Sequence, residues 1–220
     1  MVDFYFNPST QRYHRQSTGR FLSKNKIKEI VGDYLESQKA IARKTNQRLF
    51  EDKITLAQWE ESQAKFLKNL AVQLFKIGHP ELGDHFLDNR YYGMIGNRLR
   101  TQYGYLRGFS RDIADETQSQ AQINARMDMY ISASRFYFEE GKREAHKSNG
   151  YLWERRVLAI AEHCPDCPRY AALSWQSIGS LPAITTQCQC GPNDKCFFEY
   201  SKSLTRPVTN MLQNSFGWIA

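Results

Sequence analysis

Five cysteines lie within one short window near the C-terminal end of this 220-residue chain. Residues 162–167 read Glu-His-Cys-Pro-Asp-Cys, a Cys-x-x-Cys knuckle, and the others are Cys188, Cys190 and Cys196. A knuckle sets two thiolates on one side of a tetrahedral centre, and a thiolate pair from a distant loop completes a closed structural zinc site. Because the number is odd and the first 163 residues contain no cysteine, the window fits a metal site better than a disulfide framework.

We therefore predict one structural zinc ion held by four of the five candidates, which are Cys164, Cys167, Cys188, Cys190 and Cys196. One of the last three is then spare, and His163 is a further candidate. Free or disulfide-bonded cysteines are the alternative. A redox Cys-x-x-Cys would open a helix after a strand in a βαβ unit, which the surrounding pattern does not resemble. A catalytic zinc needs an open position, and four or more available thiolates argue against it.

The residues on either side of the window are compatible with strands. Residues 153–160 and 196–200 predict short strands. Residues 201–220 carry large apolar side chains in a polar background, as in a tail. The sequence thus predicts a small α+β, zinc-stapled C-terminal module over residues 151–200, followed by a tail over residues 201–220.

Residues 24–150 are helical in pattern, with apolar positions recurring every three or four residues. Four helices are predicted, over residues 23–50, 55–78, 88–113 and from residue 119 to the Asn-Gly turn at 149–150. Thr55 and Ser119, each with a glutamine three residues later, match capping boxes. The aromatic stripes on these helices are interpreted as core rather than as a cofactor site. The predicted fold class is mainly α, with a helical N-terminal region before the zinc-stapled module.

Glycines interrupt two of these patterns. Those at 93, 96, 104 and 108 lie inside the third helix, where each costs about 1 kcal/mol relative to alanine, so they predict close packing or a kink. Gly141 is expected to interrupt the fourth helix. The histidines at 79 and 85 fall in a loop without convincing metal-ligand partners and are not predicted to form a site.

Residues 1–23 form a basic arm with interleaved aromatics. Turn signals at residues 7–10 and 17–19 favour a small β-meander or an extended arm over a helix. The arm and the 201–220 tail are both too short to bury their aromatics alone. We therefore expect both to dock on partners rather than on the chain's own core.

The composition limits the class of protein. The apolar fraction of 41% is enough for a core, which excludes wholesale disorder. Thirty basic against 23 acidic residues give a net charge of +7, which favours an anionic partner but also suits a solubilising surface. No apolar run approaches the roughly 18–20 residues needed to cross a bilayer, and the first residues lack the apolar stretch of a signal peptide. We expect neither membrane insertion nor export.

The C-terminal module resembles that of the phage Mu F-like head morphogenesis, or minor capsid, family. The most specific match is Ala-Glu-His-Cys-Pro-Asp-Cys at residues 161–167. The further matching segments are residues 153–158, 175, 178–182, 186–188 and 195–200, and upstream 12–21, 56–59, 98–106 and 121–130. The family commonly ends with two cysteines one residue apart, whereas Cys190 and Cys196 are separated by five residues here. The third and fourth ligands are therefore left open.

The resemblance implies a virion protein present in few copies at the portal vertex, inside the head. It would act in head assembly or genome delivery and would pass through the host cytoplasm during assembly. The implied partners are the portal protein, the major capsid protein or both, with packaged DNA touched through non-specific basic contacts.

Two other classes of function make different demands on the sequence. A nucleic-acid-binding zinc protein unrelated to capsids would concentrate basic residues around the cysteines. Residues 161–200 instead carry two basic and four acidic residues, a net charge of −2. For an enzyme, the sequence contains no Ser/His/Asp order, phosphate loop or His-Glu-x-x-His helix, so no enzymatic activity is predicted.

Overall fold

The computed structural model describes residues 3–7, 9–10, 12–82 and 87–203, and most of these are helical. The helices, in chain order, are α1 (Lys24–Phe50), α2 (Leu56–Gly78), α3 (Asn89–Ala114), α4 (Gln120–Ala133), α5 (Arg135–Ser148) and the short α6 (Asp166–Ala172). Two 3-10 turns cover Pro80–Leu82 and Gly191–Asn193. The mainly α fold class is confirmed, with a small sheet and a cysteine cluster that could hold a metal in the C-terminal part.

Polar side chains cap the helices where the sequence predicts their starts. Thr55 Oγ1 accepts from the Gln58 amide at 3.2 Å, and Gln58 Oε1 accepts from the Thr55 amide at 2.9 Å. Ser119 and Gln122 form the same capping box. Each N-cap satisfies an amide that has no partner within its helix, which stabilises the helix by about 1 kcal/mol.

The fourth predicted helix breaks at Ser134 and not at Gly141. Ser134 ends α4 and begins α5. It is fully buried, and its Oγ donates to the Tyr130 carbonyl oxygen at 3.0 Å. Such bonds to the carbonyl four residues earlier often accompany a bend in a helix. The prediction that Gly141 interrupts the helix is wrong, because Gly141 lies inside α5.

Gly141 and Gly78 allow α5 and α2 to pack backbone against backbone. A Cβ built on Gly141 would overlap the Phe75 carbonyl oxygen and would lie 3.1 Å from the Gly78 Cα. A Cβ on Gly78 would overlap the Phe138 carbonyl oxygen. The four glycines of α3 face open space instead, with nothing within 4 Å of a built Cβ. The prediction of close packing at the α3 glycines is therefore wrong, and α3 continues through them without a break.

The helical body has one apolar core, and the aromatic residues of the predicted stripes lie in it or pack against it, with the exception of the exposed Tyr92. Trp59 is completely buried. Its Nε1 donates to Asn46 Oδ1 at 2.8 Å, and this oxygen also accepts from Gln63 Nε2 at 2.9 Å. Asn46 Nδ2 in turn donates to Asn124 Oδ1 at 2.8 Å. These hydrogen bonds connect α1, α2 and α4 at the centre of the body.

The arm folds as a β-meander, one of its two predicted forms. Strands β1 (Tyr5–Asn7), β2 (Arg12–His14) and β3 (Phe21–Leu22) pair antiparallel in that order. Because side chains alternate across a strand, one face of the meander is apolar and packs in the same buried cluster as the helices. The buried members are Phe4, Phe6, Tyr13 and Leu22. The prediction that the arm docks on partners instead of on the chain's own core is therefore wrong. For the tail, residues 204–220 lie outside the described ranges.

The buried face of the arm makes it a contributor to stability. Phe6 is 5% exposed, whereas Phe21, in the same meander, is 55% exposed. We expect Phe6→Ala to lower the free energy of unfolding by about 3 kcal/mol and Phe21→Ala to change it by less than about 0.5 kcal/mol. Urea unfolding followed by circular dichroism measures both. Equal effects of the two substitutions would contradict the packing of the arm on the body.

A second sheet lies in the C-terminal module. Strands β4 (Trp153–Val157), β5 (Gln176–Ser177) and β6 (Phe197–Ser201) form it in the order β5-β4-β6, with all pairs antiparallel. Residues 158–160, predicted as strand, are not part of β4, and the two-residue β5 was not predicted. None of the helices in the described ranges contains a stretch long and apolar enough to span a bilayer.

Arg143 on α5 connects the helical body to the module. Its Nε donates to Glu154 Oε2 at 2.8 Å and its Nη1 to Glu140 Oε1 at 2.6 Å. Its Nη2 donates to the Leu181 carbonyl oxygen at 3.1 Å. The Glu154 side chain is completely buried. Removal of one member of a buried ion pair typically costs about 3–5 kcal/mol of stability. The Arg143–Glu154 pair therefore holds β4 against α5.

Candidate metal centre

Two short segments carry the cysteines, and backbone hydrogen bonds shape both. The Cys167 amide, in the first turn of α6, donates to the Cys164 carbonyl oxygen at 3.1 Å. In the second segment, the amides of Gly191 and Asn193 donate to the carbonyl oxygens of Cys188 and Cys190, each at 3.0 Å. These turns curl each chain segment around its sulfur atoms.

Asp166 and Tyr170 join the two segments. Asp166 Oδ2 accepts from the Gln189 amide at 3.1 Å. Tyr170 Oη donates to the Gln187 carbonyl oxygen at 3.2 Å. Asp166, Gln187 and Gln189 each lie next to a cysteine in the chain, so these bonds hold the knuckle against the second cysteine pair.

Four sulfur atoms form a set that could hold a metal ion. The Sγ atoms of Cys164, Cys167, Cys188 and Cys190 all lie within 4.8 Å of one another. Cys167 Sγ lies 3.6 Å from Cys164 Sγ and 3.6 Å from Cys190 Sγ. Around tetrahedral zinc, with Zn–S bonds of about 2.3 Å, neighbouring sulfurs are about 3.8 Å apart. The first ligand set, defined by these four cysteines, therefore has the dimensions of a zinc site.

The two remaining candidates, His163 and Cys196, form a second ligand set together with Cys167. Its ligand atoms also lie within 4.8 Å of one another, with Cys196 Sγ 3.8 Å from His163 Nδ1. His163 Nε2 lies 2.8 Å from the Ala159 carbonyl oxygen, which can only accept, so the proton is on Nε2. Nδ1 is then free to bind a cation, an arrangement typical of metal-binding histidines. The structure thus brings together all five predicted cysteines and His163.

The thiols differ in acidity. Desolvation opposes ionisation of Cys164, but the Cys190 thiol and the Cys167 amide outweigh it and lower the pKa of Cys164 to about 6. Desolvation and then the Asp194 carboxylate raise the pKa of Cys188 to about 12. Desolvation also raises the pKa of Cys167 and of Cys196. Without a cation, the cluster therefore does not ionise fully near neutral pH, and metal binding would release protons.

A buried ion pair, Arg156 with Asp194, lies directly behind the sulfurs. Both side chains are completely buried and hydrogen-bonded to each other. Asp194 also accepts from the amides of Cys196 at 2.9 Å and Thr185 at 3.2 Å, and from the Cys188 thiol at 3.3 Å. Arg156 Nη2 lies 3.6 Å from Cys188 Sγ. The pair orients two cysteines and places the Arg156 guanidinium beside the Cys188 sulfur.

Sequence reasoning did not find Arg156 or Asp194. Glu154 and Arg156 lie two residues apart on β4, so they share one face of the strand. This face points inward, where a strand normally carries apolar residues. The only sequence signal was this inward-facing charge, and it could be interpreted only once the orientation of β4 was known.

His79, one of the two histidines that were not predicted to form a site, joins neither ligand set. His79 is 3% exposed, and its Nε2 lies 3.4 Å from the Tyr91 hydroxyl. His85 lies outside the described residues. The chain was compared with protein families, curated proteins and solved structures, and none of them matches it.

Proposed function

We propose that this chain is a structural phage minor head protein whose C-terminal module is held together by zinc. The observation that carries the proposal is the first ligand set. Four thiolates with tetrahedral spacing leave zinc no open position for a substrate, which is the arrangement of structural and not of catalytic zinc. The resemblance of residues 153–200 to the phage Mu F-like family supports the assignment to the head.

Zinc has a clear structural role to fill in this module. Apart from the cysteines, its apolar cluster contains only three fully buried side chains, those of Leu181, Ile184 and Phe198. A core of this size supplies little stability by itself. Zinc binding by four thiolates contributes about 10–16 kcal/mol in peptides at neutral pH. The ion would therefore provide most of the stability of residues 151–200.

Arg135, the first residue of α5, fastens the cysteine loops to the helical body. Its Nη1 donates to the Asp194 carbonyl oxygen at 2.7 Å and its Nη2 to the Cys196 carbonyl oxygen at 2.8 Å. Together with Arg143, it joins the module to α5 through buried or half-buried charges. A rigid body of this kind suits a protein that joins other proteins in an assembly, here the portal protein, the major capsid protein or both.

A basic face on α3 suits contact with packaged DNA. Arg100, Arg107 and Arg111 are spaced seven and four residues apart, so they share one side of the helix, and all three are exposed. Within the described part of the chain, none of them pairs with a carboxylate. Contacts of this kind to phosphates are salt-sensitive and independent of sequence. The same face favours a second candidate function, a nucleic-acid-binding zinc protein outside the capsid.

Purified particles of the phage or prophage that encodes the chain separate the two functions. We expect mass spectrometry to detect a few copies per particle and cross-linking to join the chain to the portal. Replacing the three α3 arginines by glutamine should weaken DNA binding several-fold in 0.1 M salt and leave incorporation unchanged. A chain that is absent from particles, yet binds DNA through these arginines, would instead support the nucleic-acid function.

A further inference from the structure

Cys167 belongs to both ligand sets at once. It is completely buried at the centre of the cluster, 3.6 Å from the sulfurs of Cys164 and Cys190, and it shares the second set with Cys196 and His163. We infer that the cluster binds two divalent metal ions, with the Cys167 thiolate bridging them. This inference rests on the proposed zinc site and adds a second ion to it.

The second ligand set has the dimensions that a second ion requires. For a tetrahedral zinc with bonds of about 2.0 Å to nitrogen and 2.3 Å to sulfur, the nitrogen and sulfur lie about 3.6 Å apart. His163 Nδ1 and Cys196 Sγ are 3.8 Å apart. The hydrogen bond from Nε2 to the Ala159 carbonyl oxygen holds the imidazole in this orientation. Residues outside the four-thiolate set are therefore already arranged as ligands.

Charge also favours two ions. With a single divalent ion, the four thiolates of the first ligand set would leave a net charge of −2 in a largely buried cluster. The nearby guanidinium, that of Arg156, is already paired with Asp194. Buried charge without compensation is costly, and a second divalent ion, with Cys196 as the fifth thiolate, reduces the net charge of the ions and thiolates to −1. The mixed sulfur and nitrogen donors suit zinc or another borderline cation such as cobalt.

The two ions differ in their surroundings. The first ligand set supplies four protein ligands. The second supplies three, one of which is the shared thiolate, and so leaves one position for water. His163 is only half-buried, so this position is reached from solvent. The second ion should therefore exchange faster and bind more weakly than the first.

The test is the metal content of the full chain, purified with added zinc, desalted and measured by native mass spectrometry. We expect two zinc ions per chain in the wild type and one in His163→Ala, with unchanged far-UV circular dichroism. Cobalt titration should saturate at two equivalents in the wild type and at one in the variant. Cys196→Ser should also bind one ion. If Cys196→Ser does not fold, His163→Ala still tests the inference, because His163 is only half-buried.

The outcomes separate this inference from the proposed zinc site. One ion in both the wild type and His163→Ala overturns the second ion and leaves the first site intact. Two ions in both proteins overturn the assignment of His163 as a ligand and with it the bridged arrangement. No bound ion in either protein overturns both the inference and the proposed zinc-stapled function.

Discussion

Gly141→Ala is expected to unfold the helical body or to lower its free energy of unfolding by more than about 3 kcal/mol. The added methyl group would overlap the Phe75 carbonyl oxygen and crowd the Gly78 Cα. Both obstacles are backbone atoms, so no side-chain rotation can relieve them and α2 and α5 must separate. Overpacking usually costs about 1–3 kcal/mol, and a clash between two backbones belongs above that range. Thermal and urea unfolding followed by far-UV circular dichroism measure the loss of stability.

Gly104→Ala is the matched control for this substitution. It makes the same chemical change inside a long helix, but nothing lies within 4 Å of the new methyl group. The helix propensity of alanine should stabilise the protein by about 0.5–1 kcal/mol. The two substitutions should therefore have opposite signs. A Gly141→Ala protein whose free energy of unfolding lies within about 1 kcal/mol of the wild-type value would contradict the described contact of α2 with α5.

Cys167→Ser is expected to abolish metal binding and to unfold residues 151–200. Cys167 is completely buried and contributes to both ligand sets. The metal contribution of about 10–16 kcal/mol exceeds what the small apolar cluster of the module can replace. Limited proteolysis should therefore cut the module first, and a chelator should produce the same digestion pattern from the wild-type protein.

The helical body should survive this change, because its apolar core is a separate cluster from that of the module. It should melt at a lower temperature, since Arg143 loses its partner Glu154. Leu173→Ser, at a 49% exposed position in the module, is the control and should retain metal and protease resistance. A Cys167→Ser protein that melts like the wild type would show that zinc is not a structural element of this chain.

The features that could be predicted from the sequence are those with a local physical cause. Thr55 and Ser119 begin helices because a short side chain satisfies nearby amides, and this depends only on neighbours in the chain. The knuckle at residues 164–167 likewise needs only its own spacing to form. The candidate ligands, and not the ligand sets, were therefore predictable.

The features that were missed depend on tertiary contacts. The two-residue β5 and the burial of the arm each require partners distant in sequence. Gly141 was misinterpreted because a glycine at a helix contact and a glycine that breaks a helix look the same in one dimension. The pairing of Arg156 with Asp194 joins residues 38 positions apart, and no local pattern indicates it.

The strand order β5-β4-β6 determines the order in which parts of the chain can fold during synthesis on the ribosome. The central strand pairs Glu154 with Tyr200, so β4 must wait for more than forty further residues to be synthesised before its sheet can close. Helices with local contacts form much earlier than such distant pairings. We therefore expect the nascent chain to expose a finished helical bundle with the Arg143 charge still uncovered. Binding of metal by the thiols would follow, because it requires that synthesis has passed Cys188 and Cys190.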